Sequence, residues 1–597
     1  MSGQIERPFQ ARPDLHGSFG MCSSTHWLAS STAQSVLERG GNAFDAAVAA
    51  AFVLHVVEPH LNGPGGDLVA IVAREGHEPR VLAGQGPAPA AADIRHYRGE
   101  GLDLVPGSGA LAAAVPGAVD AWLLLLRDLG TWELGDALAY AIHYAERGHR
   151  LLGQAARVIA TVSDLFEQHW PTSADLWMPG GRPPVENDVV RNPTYAATLR
   201  HLLDAGATTA SSRDQRIEAA RLAWSSGFVA EEIAAFAARP HRHSTGDDHA
   251  GVITVADLAS FSATWEPTVS TLFRGTTVHK AGAWTQGPAL LQALAALEGF
   301  TDAELDLSTA DGVHRVIEAT KLAMADRDAY YGDELDAEAL DRLLSADYAQ
   351  GRRDLIGPDA VNALRPGDIG RVPYHPQLRT ADDGHWQSPS AGEPTVQATG
   401  TTRGDTCHLD VIDQWGNAIS ATPSGGWLQS NPTIPTLGFC LGSRLQMTWL
   451  DEASPSALRP GRRPRTTLTP TLLTQDGATV SALGTPGGDQ QEQWQLLYLL
   501  RTLTTETTAQ QAIEAPAFHS TGFPASFWPR TWTPGGVVIE GRWDGRLVEA
   551  LSARGHAVTV TGDWMLGRLS SVSRDPATGM LSAAANPRGA QGYAVGR

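Results

Sequence analysis

The amino-acid sequence predicts an α+β fold, with helices concentrated in the first two-thirds of the chain and strands in the last third. Apolar residues recur at helical spacing in several long segments before residue 332. From Thr406 onward, short β-prone segments alternate with Gly and Pro instead. Between the two parts, residues 380–405 are poor in large apolar side chains, which is typical of a mobile loop.

In chain order, the first helical signal covers residues 29–57. It is interrupted at Gly40-Gly41-Asn42, where a glycine C-cap and a new N-terminus both fit. The second half is apolar around almost its whole circumference, which predicts a buried helix. Further helical patterns follow at 137–150, 192–203, 216–238 and 310–331. The strand-like segments of the last third are HLDVI, NAISATP, TPTLLT, ATVSALGTPGG, GVVIEG and HAVTVTG.

The composition is that of a folded protein whose net charge repels polyanions. Of the 597 residues, 42% are hydrophobic and 18% are charged, and the formal net charge is −20. Nucleic acids and anionic membranes are therefore not expected partners. No apolar run reaches the roughly 20 residues that cross a bilayer. The three cysteines show no C-x-x-C spacing, and residues 1–17 lack the layout of a secretion signal, so a cytoplasmic location is expected.

Two motif-like clusters are better explained as loops. Residues 107–112, GSGALA, fit a loosened dinucleotide fingerprint, but no clear strand precedes them and no fitting acidic partner follows, which favours a plain turn. His241, His243, Asp247, Asp248 and His249 carry metal-ligand chemistry, but their setting ARPHRHSTGDDHAG is typical of a solvated loop.

The segment Asp405-Thr406-Cys407-His408 carries the most reactive side chains of the strand-like region. Threonine is a poor nucleophile unless a base takes its proton, and a threonine that begins a chain has its own α-amine as that base. The α-amine has a pKa of about 7.7 to 8, so part of it is neutral at physiological pH. Thr406 reaches this state only if the Asp405–Thr406 bond is cut. An ordinary strand is the alternative, and Cys407 as nucleophile is another, although strand alternation points it away from Thr406.

The pattern T-x-H-x-x-V-x-D-x-x-G-N-A over residues 406–418 resembles the processing site of the γ-glutamyltranspeptidase family. Further stretches resemble that family in its order: VLERGGNAFDAAVAAAFVLHVVEPHLNGPGGD, AAVPGAVDAWLLLLRDLGT, ADRDAYYGD, GTPGGDQQ and DPATGMLSAAANPRGAQGYAVG. The resemblance implies an N-terminal nucleophile hydrolase with a four-layer αββα sandwich. It also implies a precursor that cleaves itself into a large subunit of residues 1–405, ending in the mobile pre-cleavage loop 380–405, and a small subunit of residues 406–597.

The resemblance also assigns the catalytic groups. Thr406 is the nucleophile, first against the carbonyl of Asp405 and then against the substrate amide. Gly487 and Gly488 match the glycines of the family's oxyanion hole, where backbone N–H groups stabilise the developing negative charge. Ser424 aligns with a family threonine whose hydroxyl helps to hold the nucleophile. The family needs no metal or organic cofactor.

The residues that recognise glutamate in the family are mostly changed here. The arginine of its R-E-x-A-P segment is replaced by Gln85, and its acidic pair for the α-amine falls near Thr448-Trp449. Its serine pair becomes Thr466-Thr467, which keeps the hydroxyls. Ser443-Arg444-Leu445 stands where the amidohydrolase branch of the family often has N-R-G, so Arg444 is a candidate cation for a substrate carboxylate. Arg465 is a second candidate.

The sequence therefore predicts an autoprocessing threonine amidohydrolase or acyltransferase that cleaves a small carboxylated amide through an acyl-threonine intermediate. Water or an amine is the expected acceptor, and a dimer of large–small heterodimers stays open as an assembly. The alternatives are a true γ-glutamyltransferase or glutathione hydrolase, an oxamate amidohydrolase or cephalosporin acylase, and an uncleaved binding protein with the same fold.

Overall fold

A computed structural model describes residues 10–207, 211–380 and 406–597, without the side chain of residue 590. Helices dominate its first two-thirds, as the sequence predicts. The α-helices are α1 Trp27–Glu38, α2 Ala43–Val57, α3 Ile94–Gly99, α4 Ala118–Leu129, α5 Leu134–Arg147, α6 Gly153–Thr161, α7 Ser163–Gln168, α8 Pro171–Trp177, α9 Pro193–Ala207, α10 Arg213–Ser225, α11 Phe228–Ala237, α12 Val255–Ser260, α13 Gly287–Leu297, α14 Ala310–Tyr330, α15 Ala337–Leu343, α16 Ala346–Arg353, α17 Gln491–Thr504, α18 Ala509–Glu514 and α19 Gly545–Ala553.

The strands form two large sheets and three small ones among the described residues. In chain order they are β1 Leu15–Gly17, β2 Gly20–Ser24, β3 Asp67–Ala73, β4 Arg80–Gly84, β5 His149–Arg150, β6 Val189–Val190, β7 Pro240–Arg242, β8 Asp248–Ala250, β9 Thr264–Pro267, β10 Val269–Phe273, β11 Thr276–Lys280, β12 Leu409–Asp413, β13 Ala418–Ser424, β14 Thr471–Gln475, β15 Ala478–Gly484, β16 Phe518–Ser520, β17 Gly536–Glu540, β18 Ala557–Thr561, β19 Ser570–Arg574, β20 Leu581–Ala585 and β21 Tyr593–Gly596.

The two large sheets pack face to face with helices on both outer surfaces. One sheet has the order β1-β20-β19-β15-β14-β11-β10 and the other β21-β2-β12-β13-β3-β4-β9, with antiparallel neighbours throughout. A core of side chains from both sheets lies between them. One outer core joins the second sheet to α1, α2, α4, α5 and α9–α11, and the other joins the first sheet to α13, α14 and α17. The predicted four-layer αββα sandwich is confirmed.

The buried helix expected after Gly41 is α2. Its cap is the reciprocal arrangement of Asn42 and Asp45, in which each side chain accepts a hydrogen bond from the backbone N–H of the other residue. Every residue of α2 is buried, as the all-round apolar pattern predicts. All six predicted strand segments of the last third are strands. Four of them, β12 to β15, lie inside the two large sheets, and the other two, β17 and β18, pair in the three-stranded sheet.

Two local predictions differ from the structure. The pattern at 216–238 forms two helices instead of one, because the chain breaks at Ser226-Gly227 between α10 and α11. The segment around His243 is the hairpin β7–β8 and not an open loop. Its Asp247 is exposed, but the His243 ring is buried against His249, with 2.8 Å between Nε2 and Nδ1. Of the predicted loop 380–405, residues 381–405 lie outside the described residues.

Candidate active site

Thr406 is buried and lies shortly before β12. It forms a single antiparallel bridge with Ser424, the last residue of β13, and the N–H of Cys407 donates to Pro423 O at 3.1 Å. The Thr406 Oγ1 and Ser424 Oγ atoms are 3.1 Å apart, within hydrogen-bond distance. The strand pairing therefore brings a second hydroxyl to the predicted nucleophile. Asp405 lies outside the described residues.

Cys407 points to the other side of its strand, as alternation requires. Its thiol donates to Glu58 Oε2 at 3.0 Å and accepts from Asn62 Nδ2 at 3.0 Å. Burial raises the pKa of this thiol well above its ordinary value, and the Glu58 carboxylate raises it further. A thiol that stays protonated at neutral pH is a poor nucleophile.

His408 connects the segment that leads into β12 to β15 of the opposite sheet. Its Nε2 lies 2.8 Å from Asp410 Oδ1, and its Nδ1 lies 3.0 Å from Thr422 Oγ1. The ring packs on Gly484, the last residue of β15, where a β-carbon would lie only 2.3 Å from ring atom Cε1. The end of β15 is thereby fixed beside the start of β12.

The oxyanion-hole candidates follow directly after β15. Gly487 and Gly488 have φ angles of 139° and 53°, a region that strongly favours glycine. Neither of their N–H groups donates to another residue in the described part of the chain. They also precede α17, whose N-terminus favours negative charge nearby. Two successive free N–H groups at such a turn form an anion-binding concavity.

Gln85 lies at the end of β4, beside the segment that leads to Thr466. Its Nε2 donates to Pro464 O at 2.7 Å, so its Oε1 faces the other way, buried and without a partner. This arrangement offers a hydrogen-bond acceptor and no positive charge. It therefore suits a substrate N–H and not a carboxylate.

The two threonines that follow are buried as well. Thr466 is tied to the backbone around Thr285 by a parallel bridge, and its hydroxyl accepts from Leu468 N at 3.2 Å. The Thr467 hydroxyl is buried without a hydrogen-bond partner among the described residues. The Thr467 hydroxyl is thus a hydrogen-bond donor that no described residue uses.

Arg444 is already paired inside the protein. Its Nε and Nη2 donate to the two oxygens of Asp67 at 2.5 and 2.8 Å, a bidentate ion pair with both side chains buried. Asp67 pairs in register with Ser424, so this ion pair stands beside the nucleophile's neighbour. The guanidinium that the sequence offers to a substrate carboxylate thus faces a carboxylate of the protein, which the sequence reasoning missed.

Arg465, the second candidate, is less completely satisfied. Its Nη2 donates to Ser526 Oγ at 3.0 Å, whereas Nη1 is buried without a hydrogen-bond partner among the described residues. Burial lowers its pKa to about 10, and the nearby Arg327 lowers it as well. Arg530 donates to Thr448 O at 3.1 Å and stacks over Trp449, with 4.1 Å from its Cζ to the ring centroid. A cation thus lies against Thr448-Trp449, the segment to which the sequence resemblance assigns the family's acidic pair.

One group of potential metal ligands comes together in the described part of the chain, and it lies apart from Thr406. His314, Glu318 and His556 offer ligand atoms within 4.8 Å of one another. Glu318, however, is already held by Lys321 at 2.6 Å and Arg365 at 2.9 Å, so two cations oppose a metal ion there. As for the membrane, no helix within the described ranges is long and apolar enough to cross one.

The comparisons with known proteins agree over nearly the whole chain. The family model of gamma-glutamyltranspeptidase matches residues 29–596. The "Glutathione hydrolase-like YwrD proenzyme" of Bacillus subtilis (strain 168) is 29% identical over 97% of this chain and 99% of its own. The "Oxamate amidohydrolase proenzyme" of Klebsiella pneumoniae subsp. pneumoniae is 30% identical, over 97% of this chain and 98% of its own.

Solved structures support the same assignment. The structure of LmbA2991HD is 53% identical, with a TM-score of 0.93 over 99% of this chain and 100% of that one. The cephalosporin acylase from Bacillus halodurans is 27% identical, with a TM-score of 0.81 over 100% of this chain and 99% of that one. With the sandwich and the motif around Thr406, these matches establish that the chain belongs to the γ-glutamyltranspeptidase family of N-terminal nucleophile hydrolases.

Proposed function

We propose that the protein is a proenzyme that cuts itself before Thr406 and then hydrolyses the amide bond of a small carboxylated substrate. The observation that carries the proposal is the pair of hydroxyls 3.1 Å apart, Thr406 Oγ1 and Ser424 Oγ, at the start of β12. The free N–H groups of Gly487 and Gly488 support it, because acyl transfer needs donors for the developing oxyanion. A relative named as a proenzyme agrees with a precursor.

The proposed self-cleavage is an acyl shift followed by hydrolysis. Thr406 Oγ1 attacks the carbonyl carbon of Asp405, its proton passes to the peptide nitrogen, and the C–N bond breaks as the ester forms. Water then cleaves the ester, which leaves a carboxylate on Asp405 and restores the hydroxyl of Thr406. The nitrogen becomes a free α-amine beside that hydroxyl.

The same hydroxyl then acts on the substrate amide. The neutral α-amine of Thr406 takes the hydroxyl proton while Oγ1 attacks the amide carbon, and the backbone N–H groups bind the oxyanion. The proton passes to the leaving amine as the C–N bond breaks. Water hydrolyses the acyl-threonine ester and releases the acid, whereas an amine acceptor would give a transferred acyl group instead.

The substrate assignment follows from what replaces the glutamate-binding groups. Gln85 offers an acceptor in place of a cation, and Arg530 lies beside Trp449 in place of an acidic pair. Both exchanges disfavour a free α-amino acid headgroup. A relative named as an oxamate amidohydrolase agrees with an amide substrate that carries a carboxylate. γ-Glutamyl donors are the second candidate, favoured by the hydroxyls kept at Thr466 and Thr467.

A denaturing gel with N-terminal sequencing of the fragments tests the proposal. Purified wild-type protein should give two fragments, of which the smaller begins at Thr406. Thr406→Ala should stay one chain, and Thr406→Ser should still be cut because serine keeps the hydroxyl. A wild-type chain that stays whole and hydrolyses no amide would refute the proposal.

Two alternatives have their own outcomes. An uncleaved binding protein would bind ligand equally well after Thr406→Ala. A Cys407 nucleophile would make Cys407→Ala inactive and leave Thr406→Ala active, which the raised thiol pKa argues against. The predicted cytoplasmic location is part of the proposal, and cell fractionation tests it.

A further inference from the structure

A buried group of charged side chains adjoins the candidate oxyanion hole and carries an unbalanced positive charge. Its members, called here the arginine cluster, are Arg327, Arg465, Arg530, Asp328 and Asp489, with relative exposures of 0%, 2%, 1%, 7% and 5%. Three guanidinium groups face two carboxylates. The nearby acid Glu492 does not change the sum, because buried Lys280 interacts with it electrostatically.

The two carboxylates serve mainly one of the three arginines. Arg327 Nη1 donates to Asp489, and Arg327 Nη2 lies 3.1 Å from Asp328 Oδ1. The nearest oxygen of Asp328 is 3.7 Å from Arg465 Nη2. Arg530 forms no ion pair within the described ranges and donates to backbone carbonyls instead. Arg465 and Arg530 are therefore buried cations without a dedicated anion.

Burial of an unbalanced charge is expensive, so proteins usually pair such groups or use them for function. The pKa of Arg530 is lowered to about 9, first by burial and then by Arg465. Arg465 points one buried nitrogen, Nη1, at no acceptor in the described part of the chain. An anion bound at Nη1 would give that nitrogen an acceptor and would add the negative charge that the arginine cluster lacks.

The arginine cluster is connected to the candidate oxyanion hole through hydrogen bonds. Gly488 continues directly into Asp489, whose two oxygens accept from the N–H and the hydroxyl of Ser526 at 2.7 and 2.6 Å. Ser526 Oγ in turn accepts from Arg465 Nη2 at 3.0 Å. The loop that would hold the substrate carbonyl oxygen therefore also positions Arg465.

Building on the proposed function, we infer that the arginine cluster is the anion subsite of the enzyme and that Arg465 Nη1 binds a carboxylate on the acyl half of the substrate. The acyl half is the relevant one because it stays attached to Thr406 while the amine leaves and water arrives. Because the acyl half remains bound through both steps, it is the half that a fully buried subsite can hold.

The same geometry excludes an ammonium group. Arg530 covers Trp449, and the Gln85 side chain gives no carboxylate that could hold a cation. An ammonium next to the bound carboxylate would face buried guanidinium groups of like charge. The substrate class is therefore a monoamide of a short dicarboxylic acid that lacks an α-amine.

Three p-nitroanilides of matched length test the inference on processed wild-type enzyme: glutaryl, γ-glutamyl and the neutral glutaramyl analogue. We expect kcat/KM for the glutaryl compound to exceed that for each of the others by about 100-fold, because the cluster would otherwise keep an unpaired charge. Equal rates for the glutaryl and glutaramyl compounds would overturn the inference. This comparison uses only wild-type enzyme, so its result does not depend on whether a variant folds.

A variant arm assigns the effect to Arg465. Arg465→Met should lower kcat/KM for the glutaryl compound about 100-fold, and the loss for the glutaramyl compound should be at least about tenfold smaller because that compound has no charge to pair. Arg465→Lys should recover part of the loss. Arg459→Met is the matched control, since Arg459 lies in the same segment but is exposed and pairs with Glu334. Equal losses on both substrates would mean a structural role and refute the subsite.

Calorimetry with glutarate separates this inference from the proposed function. Glutarate should bind wild-type protein, processed or not, and should fail to bind Arg465→Met. If the wild type hydrolyses no amide, the proposed function fails but glutarate binding still decides the subsite. Absence of glutarate binding to a wild-type enzyme that hydrolyses amides would refute the subsite alone.

Discussion

Replacement of Gly487 by alanine should test the role of its N–H group in catalysis separately from its role in stability. Gly487 has a φ of 139°, and a β-carbon there would lie 2.4 Å from Cζ3 and 3.0 Å from Cε3 of Trp494. Trp494 belongs to the first turn of α17, is 3% exposed and packs in the core, so it cannot turn away. The backbone of Gly487 must shift instead, and its N–H moves with it.

The expected loss is large for turnover and moderate for stability. Removal of one oxyanion donor costs about 2.7 to 4 kcal/mol in other enzymes, or about 10² to 10³ in kcat. Alanine in the left-handed region costs about 1 to 2 kcal/mol of folding free energy. Gly477→Ala is the matched control, because Gly477 has a φ of 80° in the turn between β14 and β15 and a β-carbon there meets nothing within 4 Å.

The assay is steady-state hydrolysis by the processed fraction of each variant, with urea unfolding of the same samples. Gly477→Ala should lose stability and keep kcat, whereas Gly487→Ala should lose kcat by at least about 100-fold. The oxyanion assignment is refuted if Gly487→Ala keeps kcat within about threefold of wild type, or if both variants lose kcat equally.

Three further predictions follow from single contacts. Ser424→Ala should lower kcat about 2- to 10-fold in steady-state assays, because one net hydrogen bond to Thr406 contributes about 0.5 to 1.5 kcal/mol. Arg444→Met should reduce the free energy of unfolding in urea by about 3 to 5 kcal/mol, because Asp67 is left buried without its cation. Burial lowers the pKa of His519 to about 3, so its contribution to stability is present above about pH 6.5 and lost as the pH falls toward 3. His519→Phe should therefore reduce the loss of unfolding free energy between pH 6.5 and 5 by about 1.6 kcal/mol.

Each of these has a contrary outcome. A wild-type kcat in Ser424→Ala would mean that the 3.1 Å contact does not orient the nucleophile. An Arg444→Met variant as stable as wild type would mean that Asp67 finds another partner or a proton. An unchanged pH slope in His519→Phe would mean that the imidazole protonates in the folded state near its ordinary pKa.

The features of this protein that depend on local sequence patterns could be predicted from the sequence. Helix α2 could be predicted with its burial, because its apolar residues cover the whole circumference and Asn42 caps it. The break between α10 and α11 was missed, because the helical pattern continues across Ser226-Gly227 and only the backbone there departs from it. The segments around Thr406 and Gly487 could be named as site candidates from their motifs alone.

The pairing of the buried charged side chains was decided by tertiary structure. Arg444 and Asp67 are 377 residues apart, and only the pairing of β3 with β13 beside them brings the two side chains together. The arginine cluster likewise joins four distant segments: α14, the segment before β14 that carries Arg465, the loop after Gly488 and the segment after β16. Sequence patterns specify which residues face a core, but the partner of a buried charge depends on where distant segments meet. The sequence by itself thus indicated Thr406, Gly487 and Gly488 as site candidates through their motifs. The tertiary structure decided that the Arg444 guanidinium is paired with Asp67, whereas Arg465 Nη1 has no acceptor among the described residues.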